Sequence, residues 1–374
     1  MRHDRRSPNF LPIYIPEGAH QPPLFQKENM SKKPIAIIST DWHLKETNAS
    51  ELLDVARQEA ALAERLKVRD VIWLGDMFDS RVSQRQDMLN CFDAVIDIHT
   101  NQGLSVHCIP GNHDKTDYTA DESFLTPYRY HPNFHLYEKE TGVLIKGVAV
   151  YFVPFYATET WIRHFNSIQG LGHGNGSILF SHTAIEGSIN NDGSTVQSSI
   201  KASMFKDFDR VFLGHYHNAQ QPARNVFHLP SVIQNNFGED EDKGFTVLYD
   251  DLSFDLLRSD FTPYREIVID TLTASREDIK AVAEESTEGV HLRVTLKGDQ
   301  QSIKGVNKKM FTDKGISVKT KYNDVEVDGT VTEEAVCREL SDGDIADKFK
   351  SFCEDKGYDV EEGLLILNQI MQWE

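Results

Sequence analysis

The sequence predicts an α/β protein, and three observations carry that expectation. From residue 34 to about 261, apolar runs of strand length alternate with segments of helical spacing. Five of those runs stop at short strings rich in His, Asp and Asn. From 263 to 329 a second, smaller strand–helix pattern follows, of βαβαβ form.

Residues 1–30 form an arm, disordered or draped on the surface: 1–29 hold five prolines and no period. Met30 is read as either an internal residue or the natural start, the arm then being an upstream extension. The five apolar runs are 35–39, 71–74, 106–110, 178–180 and 211–213, each rich in β-branched or aromatic residues. Helices are expected at 50–66, on Leu52, Leu53, Val55, Ala56, Ala60 and Leu62, and at 84–100, on Met88, Leu89, Phe92, Val95, Ile96 and Ile98. Residues 170–176 are glycine-rich but lack a P-loop Lys and Ser/Thr, so a loop is expected. A second loop is expected at 187–195, and an acidic turn at 239–242 before a strand at 245–249. The small unit reads as strand 266–270, a helix from Ser275 with Asp278 completing a variant capping box, and an alternating strand on Val290, Leu292, Val294 and Leu296. A helix over 303–311 and an extended segment over 316–321 complete it. Helical stretches follow residue 331 and end in an apolar 364–373 that must pack somewhere.

Bulk properties bound the function. At 374 residues, two or three domains are expected. No apolar run of about twenty residues exists, so no membrane span is predicted. The four cysteines (Cys91, Cys108, Cys337, Cys353) lack metal-type spacing, and a reducing cytoplasm is the simplest setting. A net charge of −19 argues against a nucleic-acid coat protein but not against a nuclease. The charge is uneven: 297–321 carries seven Lys against two Asp, whereas 331–362 carries eleven acids against four bases. The basic stretch could face phosphates or be a solvated helix face.

The polar strings carry the chemistry. They are Asp41-Trp42-His43, Gly75-Asp76 with Asp79 beyond, Gly111-Asn112-His113-Asp114, Ser181-His182 and Gly214-His215-Tyr216-His217. Ligands gather at the carboxyl ends of strands in an open α/β sheet, so all five are expected at one crevice. Side chains at i and i+2 of extended chain point the same way, so Asp41/His43 and His215/His217 can each reach it. Oxygen and imidazole donors without Cys suit Mn²⁺, with Mg²⁺ an alternative, better than structural zinc. Asp76, ending its strand, is the natural bridge between two ions about 3.5–4 Å apart. His113 is the candidate proton donor beside the neutral oxygen donor Asn112.

The ordered set D-x-H, G-D-x-x-D, G-N-H-D, S-H and G-H-x-H resembles the calcineurin-like metallophosphoesterases over about 35 to 249. That resemblance implies a metallophosphoesterase-type β-sandwich flanked by helices. Asp41, His43, Asp76 and His217 would hold the first metal, and Asp76, Asn112, His182 and His215 the second. His113 would be the acid, with Asp79 orienting it. Gly75-Asp76-Met77-Phe78-Asp79-Ser80-Arg81 departs from the phosphoprotein phosphatases, which carry Arg directly after the second Asp. It is similar instead to the SbcD-type DNA nucleases, as is His182-Thr183-Ala184-Ile185-Glu186-Gly187. Residues 231–249 resemble most the nuclease subunit of tailed-phage recombination endonucleases. The resemblance implies a dimeric, Mn²⁺-dependent exo- and endonuclease of DNA recombination, repair and replication, partnered by an SbcC-type coiled-coil ATPase. Residues 31–262 would be the nuclease domain, 263–329 a small α+β DNA-capping domain, and 330–374 helices that bind the ATPase. Helices 50–66 and 84–100 are candidate dimer surfaces.

Plainer readings stand beside these. Each histidine alone is more often a satisfied core residue than a ligand. Trp42 and Tyr216 are expected to pack, and Arg81 to contact a phosphate or form a surface ion pair. The competing functions are a phosphoesterase for small or cyclic nucleotide esters and a metal-free scaffold on the same fold.

Overall fold

Successive side chains of a strand leave opposite faces, so a strand buried on both sides must be apolar throughout. The apolar runs are of this kind. Val71 and Trp73 enter one core while Ile72 and Leu74 enter another. Likewise Val211 and Leu213 enter a third core, and Phe212 joins Ile72 in the second. The computed structural model describes residues 32–169, 176–190 and 193–323. The chain divides into two units, Met1–Lys321 and Tyr322–Glu374. The expected N-terminal arm, most of the 170–176 loop, the C-terminal helices, Cys337 and Cys353 lie outside the described residues.

The first sheet contains β1 (Pro34–Ser39), β2 (Asp70–Trp73), β3 (Ser105–Cys108) and β4 (Phe134–Leu136), mutually parallel. The second contains β5 (Thr141–Ile145), β6 (Val148–Val153), β7 (Ser177–His182), β8 (Arg210–Gly214), β9 (Gln220–Ala223) and β10 (Val226–His228), in the order β5-β6-β7-β8-β10-β9. Strands β11 (Gly244–Tyr249) and β12 (Phe254–Arg258) return to the first sheet, antiparallel beside β1. The two sheets face each other across Ile38, Ile72, Ile109, Phe152, Phe180 and Phe212. Helices α1 (Ala49–Leu66) and α2 (Gln86–Thr100) cover the outer face of the first sheet, and α3 (Thr158–Ile168) that of the second. The result is a helix-flanked β-sandwich, as expected.

A third sheet joins β13 (Tyr264–Asp270), β14 (His291–Gly298) and β15 (Ser317–Tyr322), with β14 central. Helices α4 (Arg276–Ala283), α5 (Gln300–Gly305) and α6 (Lys309–Thr312) accompany it. The Ser275/Asp278 capping box forms in both directions. The single helix expected over 303–311 is two, because Val306 is extended and breaks it. Ile267, Ile269, Leu292, Val294, Leu296 and Val318 pack with α4–α6 on one face. By alternation, Glu266, Arg293, Lys297, Lys319 and Lys321 belong to the other face. The basic stretch is therefore divided: Lys304 and Lys309 are helical, while Lys297, Lys319 and Lys321 sit on strands.

Candidate metal centre

The site forms where the carboxyl ends of β1, β2 and β3 meet those of β7 and β8. It thus draws on two facing sheets, whereas strand-end reasoning alone suggested one open sheet. The pairing of β1 with β2 continues past both strand ends: Asp41 N donates to Gly75 O at 3.0 Å, His43 N to Asp76 O at 2.9 Å, and Asp79 N to Leu44 O at 3.1 Å. Asp41, His43 and Asp76 take left-handed backbone, with φ of 54°, 47° and 54°, and His215 has φ of 100°. Such conformations cost about 1–3 kcal/mol each and persist only where the surroundings enforce them. Gly75, with φ of 89°, lies so close to Gly111 that a Cβ there would sit 2.4 Å from the Gly111 nitrogen. The two glycines let the Asp76 and Asn112 loops touch.

Asp76 lies between two groups of donors. Its Oδ2 is 3.7 Å from His43 Nε2, 3.4 Å from His182 Nε2 and 4.0 Å from His113 Nε2. On one side, His43 Nε2 and His217 Nε2 are 2.9 Å apart, with Asp41 Oδ1 at 3.8 and 3.9 Å from them. On the other, Asn112 Oδ1 is 3.0 Å from His182 Nε2 and 2.8 Å from His215 Nδ1. Three overlapping sets have ligand atoms within 4.8 Å of one another: Asp41/His43/His217, His43/Asp76/His113 and Asp41/Asp76/His182. Neighbouring donors on one ion with bonds near 2.1 Å lie about 3 Å apart, so these spacings fit divalent ions.

Electrostatics agree with that fit. Burial disfavours ionised Asp76 and Asp41, yet the surrounding histidines hold both carboxyls well below the usual range. Burial likewise opposes a charge on His182, but Asp76 and Asp41 outweigh it and raise that histidine to about 9. Burial and His182 together push His215 down to about 4. His182 Nδ1 faces Leu74 O at 2.7 Å, so its proton belongs there and Nε2 faces the site.

His113 stands at the edge of this group. Its backbone N donates to Asp76 Oδ1 at 2.7 Å, and its Nδ1 donates to the carbonyl oxygen of Asp79 at 2.5 Å. Asp79 therefore orients His113 through its backbone, while its carboxylate pairs with Lys45 at 3.2 Å. On the other ring nitrogen, Nε2, Arg81 places Nε at 3.1 Å and a terminal nitrogen at 2.7 Å. Among the described residues Arg81 is thus in no ion pair, and it is held instead by His113. Asp114, fully buried, accepts from Phe78 N at 3.1 Å and Gly111 N at 2.8 Å, locking the two loops together.

One functional residue escaped sequence reasoning. Glu239 is buried and accepts from His217 Nδ1 at 2.7 Å, which turns His217 Nε2 towards the site. Asn235 N and the Asn236 side chain also donate to it, and buried Lys243 binds His217 O at 2.6 Å. The only signal was the acidic 239–242 turn. Trp42 and Tyr216 pack as expected, Trp42 near Trp73 and Tyr216 between His215 and His228.

Aspartate and histidine donors gathered in this way on such a sandwich make a candidate site for divalent ions. The family pattern of calcineurin-like phosphoesterases matches residues 34–219, and the chain carries such a domain. The chain is 25% identical over 249 residues to the SbcD polypeptide of the SbcCD nuclease from Staphylococcus saprophyticus, covering 57% of this chain and 64% of that one. It is 23% identical over 219 residues to Exonuclease subunit 1 of Enterobacteria phage T4, covering 55% and 61%. A third relative, from Invertebrate iridescent virus 6 and only provisionally named a phosphoesterase, is 25% identical over 145 residues, covering 38% and 50%. The chain thus spans about half to just under two thirds of the length of these curated relatives. Among the described residues no helix is long and apolar enough to cross a membrane.

Proposed function

We propose that the chain is a two-metal DNA phosphodiesterase, the nuclease subunit of an SbcCD-type complex with a coiled-coil ATPase. The observation that carries the reading is Asp76 Oδ2, within 4.0 Å of His43, His182 and His113 at once. Asp41, His43, Asp76 and His217 would hold one ion, and Asp76, Asn112, His182 and His215 the other, with Mn²⁺ the preferred metal. When bound, two divalent ions lower the pKa of a nucleophilic water and offset charge on the phosphate. His113 presents Nε2 to the substrate side, its ring held through Nδ1 by Asp79. As the bond from water oxygen to phosphorus forms and the phosphorus–O3′ bond breaks, His113 gives the leaving oxygen a proton. That proton must reach Nε2 from solvent before the step, since Nδ1 keeps its own on the Asp79 carbonyl oxygen, and the attacking water releases one proton to solvent in turn.

DNA is favoured over a small ester by the third sheet, whose second face carries Lys297, Lys319 and Lys321 beside the Glu266–Arg293 ion pair. Phe237, in the loop that also carries Glu239, packs on that sheet: it lies under the Arg293 guanidinium at 4.2 Å and against Tyr264 at 4.9 Å. Phe237 is two residues from Glu239. Residues 263–329 are accordingly read as the capping domain and 330–374 as the partner-binding segment. The net charge of −19 favours the second reading, a phosphoesterase for small nucleotide esters. Hydrolysis of end-labelled duplex DNA in Mn²⁺, compared with a cyclic nucleotide, tests the choice. Faster turnover of the cyclic nucleotide, with intact DNA, would replace the nuclease reading by the second.

A further inference from the structure

Arg81 stands out among the cations at the rim of the centre. Lys45 pairs with Asp79, and Arg85 pairs with Glu46 and Asp87. Among the described residues Arg81 has no carboxylate partner, although it is exposed beside a site rich in acids. Its guanidinium instead caps Nε2 of His113, through Nε at 3.1 Å and a terminal nitrogen at 2.7 Å. Nδ1 of the same ring is committed to Asp79 O at 2.5 Å. Nε2 is therefore the only ring nitrogen able to meet a leaving oxygen, and Arg81 covers it.

A neutral imidazole nitrogen is a modest acceptor for a guanidinium. A phosphate oxygen pair is a far better one, because the planar fork can bind it bidentately with charge assistance. We infer that Arg81 is the phosphate-recognition residue of the site, parked on His113 until the substrate's non-bridging oxygens draw it off and uncover Nε2. The ligand class is a phosphodiester or phosphate dianion, whatever is attached to it. Binding and exposure of the acid are thereby linked: a ligand without an anionic oxygen pair has nothing with which to draw Arg81 off. The inference rests on the phosphoesterase reading with His113 as acid and adds no bond-making step to it.

The test uses the full chain loaded with Mn²⁺, as wild type, Arg81→Ala, Arg81→Lys and His113→Ala. Two readouts are needed: kcat and KM on bis(p-nitrophenyl) phosphate, and calorimetric affinity for inorganic phosphate. Arg81→Ala should raise KM and the phosphate Kd by roughly ten- to hundred-fold, the effect of losing charge-assisted hydrogen bonds. Its kcat should change far less, and Arg81→Lys should recover part of both losses, which a merely structural role would not produce. Unchanged KM and phosphate Kd in Arg81→Ala would overturn the inference while leaving the phosphoesterase reading intact. A wild-type protein that hydrolyses nothing would overturn that reading instead, and the phosphate affinities of the Arg81 variants would still decide the role of Arg81.

Discussion

Glu239 Oε1 receives the Nδ1 proton of His217 at 2.7 Å, from a turn 22 residues further along the chain. Both side chains are largely removed from solvent, and Lys243 balances the carboxylate from 3.5 Å. The pair fixes which nitrogen of His217 faces the centre. Partners of this kind tune ligand basicity, and their loss costs about 10–100-fold in metal affinity. Glu239→Gln, similar in shape, should keep the circular dichroism spectrum and weaken Mn²⁺ binding by roughly tenfold or more. Unaltered calorimetric affinity would remove Glu239 from the centre's support.

His113 and Asp79 predict opposite outcomes. His113→Ala should retain metal and lose about 10²–10⁴ in the rate of ester cleavage. Asp79→Ala preserves the carbonyl that holds His113 Nδ1, so its rate should stay much closer to wild type. A loss in Asp79→Ala equal to that of His113→Ala would give the orienting role to the carboxylate after all.

Gly75→Ala is expected to destabilise the whole centre. Its φ of 89° strains any side chain, and the new Cβ would meet Gly111 backbone at 2.4 Å. Backbone cannot step aside as a flexible side chain can, so the melting temperature should fall and Mn²⁺ affinity with it. Normal melting and normal affinity would show that the two loops have slack.

His228 supplies a pH dependence. It is fully buried, and burial with His215 nearby pushes its pKa down to about 3. A base with a lowered folded pKa is held neutral, so the folded state binds fewer protons than the unfolded chain. Stability is then fully present above the unfolded value of about 6.5 and is lost as pH falls from there towards 3. In EDTA, urea midpoints of wild type should drop through this window, and His228→Gln should flatten the drop. Equal slopes for the two proteins would contradict the assignment.

The site was legible because its residues sit in compact strings at the ends of β1, β2, β3, β7 and β8, and strands buried on both faces are unmistakably apolar. The hairpin β5–β6 was not, since β5 is half exposed and alternates weakly, nor were β4 and β10, three residues each. Helix α3 begins without a capping side chain, leaving no start signal. Which strands share a sheet depends on long-range pairing, so β11 returning beside β1 and the division of the strings between two sheets needed the fold. Glu239 acts as a lone carboxylate far from its histidine, and Asp79 acts through a carbonyl that every residue possesses. Neither leaves a mark in composition or spacing.

On the proposed reading Asp76 is shared by two ions. Anomalous diffraction from crystals grown with Mn²⁺ tests it most directly. Two peaks per chain are expected about 3.5–4 Å apart, both beside Asp76, one near His43 and His217 and the other near Asn112 and His182. A single peak, or two that do not share Asp76, would contradict it.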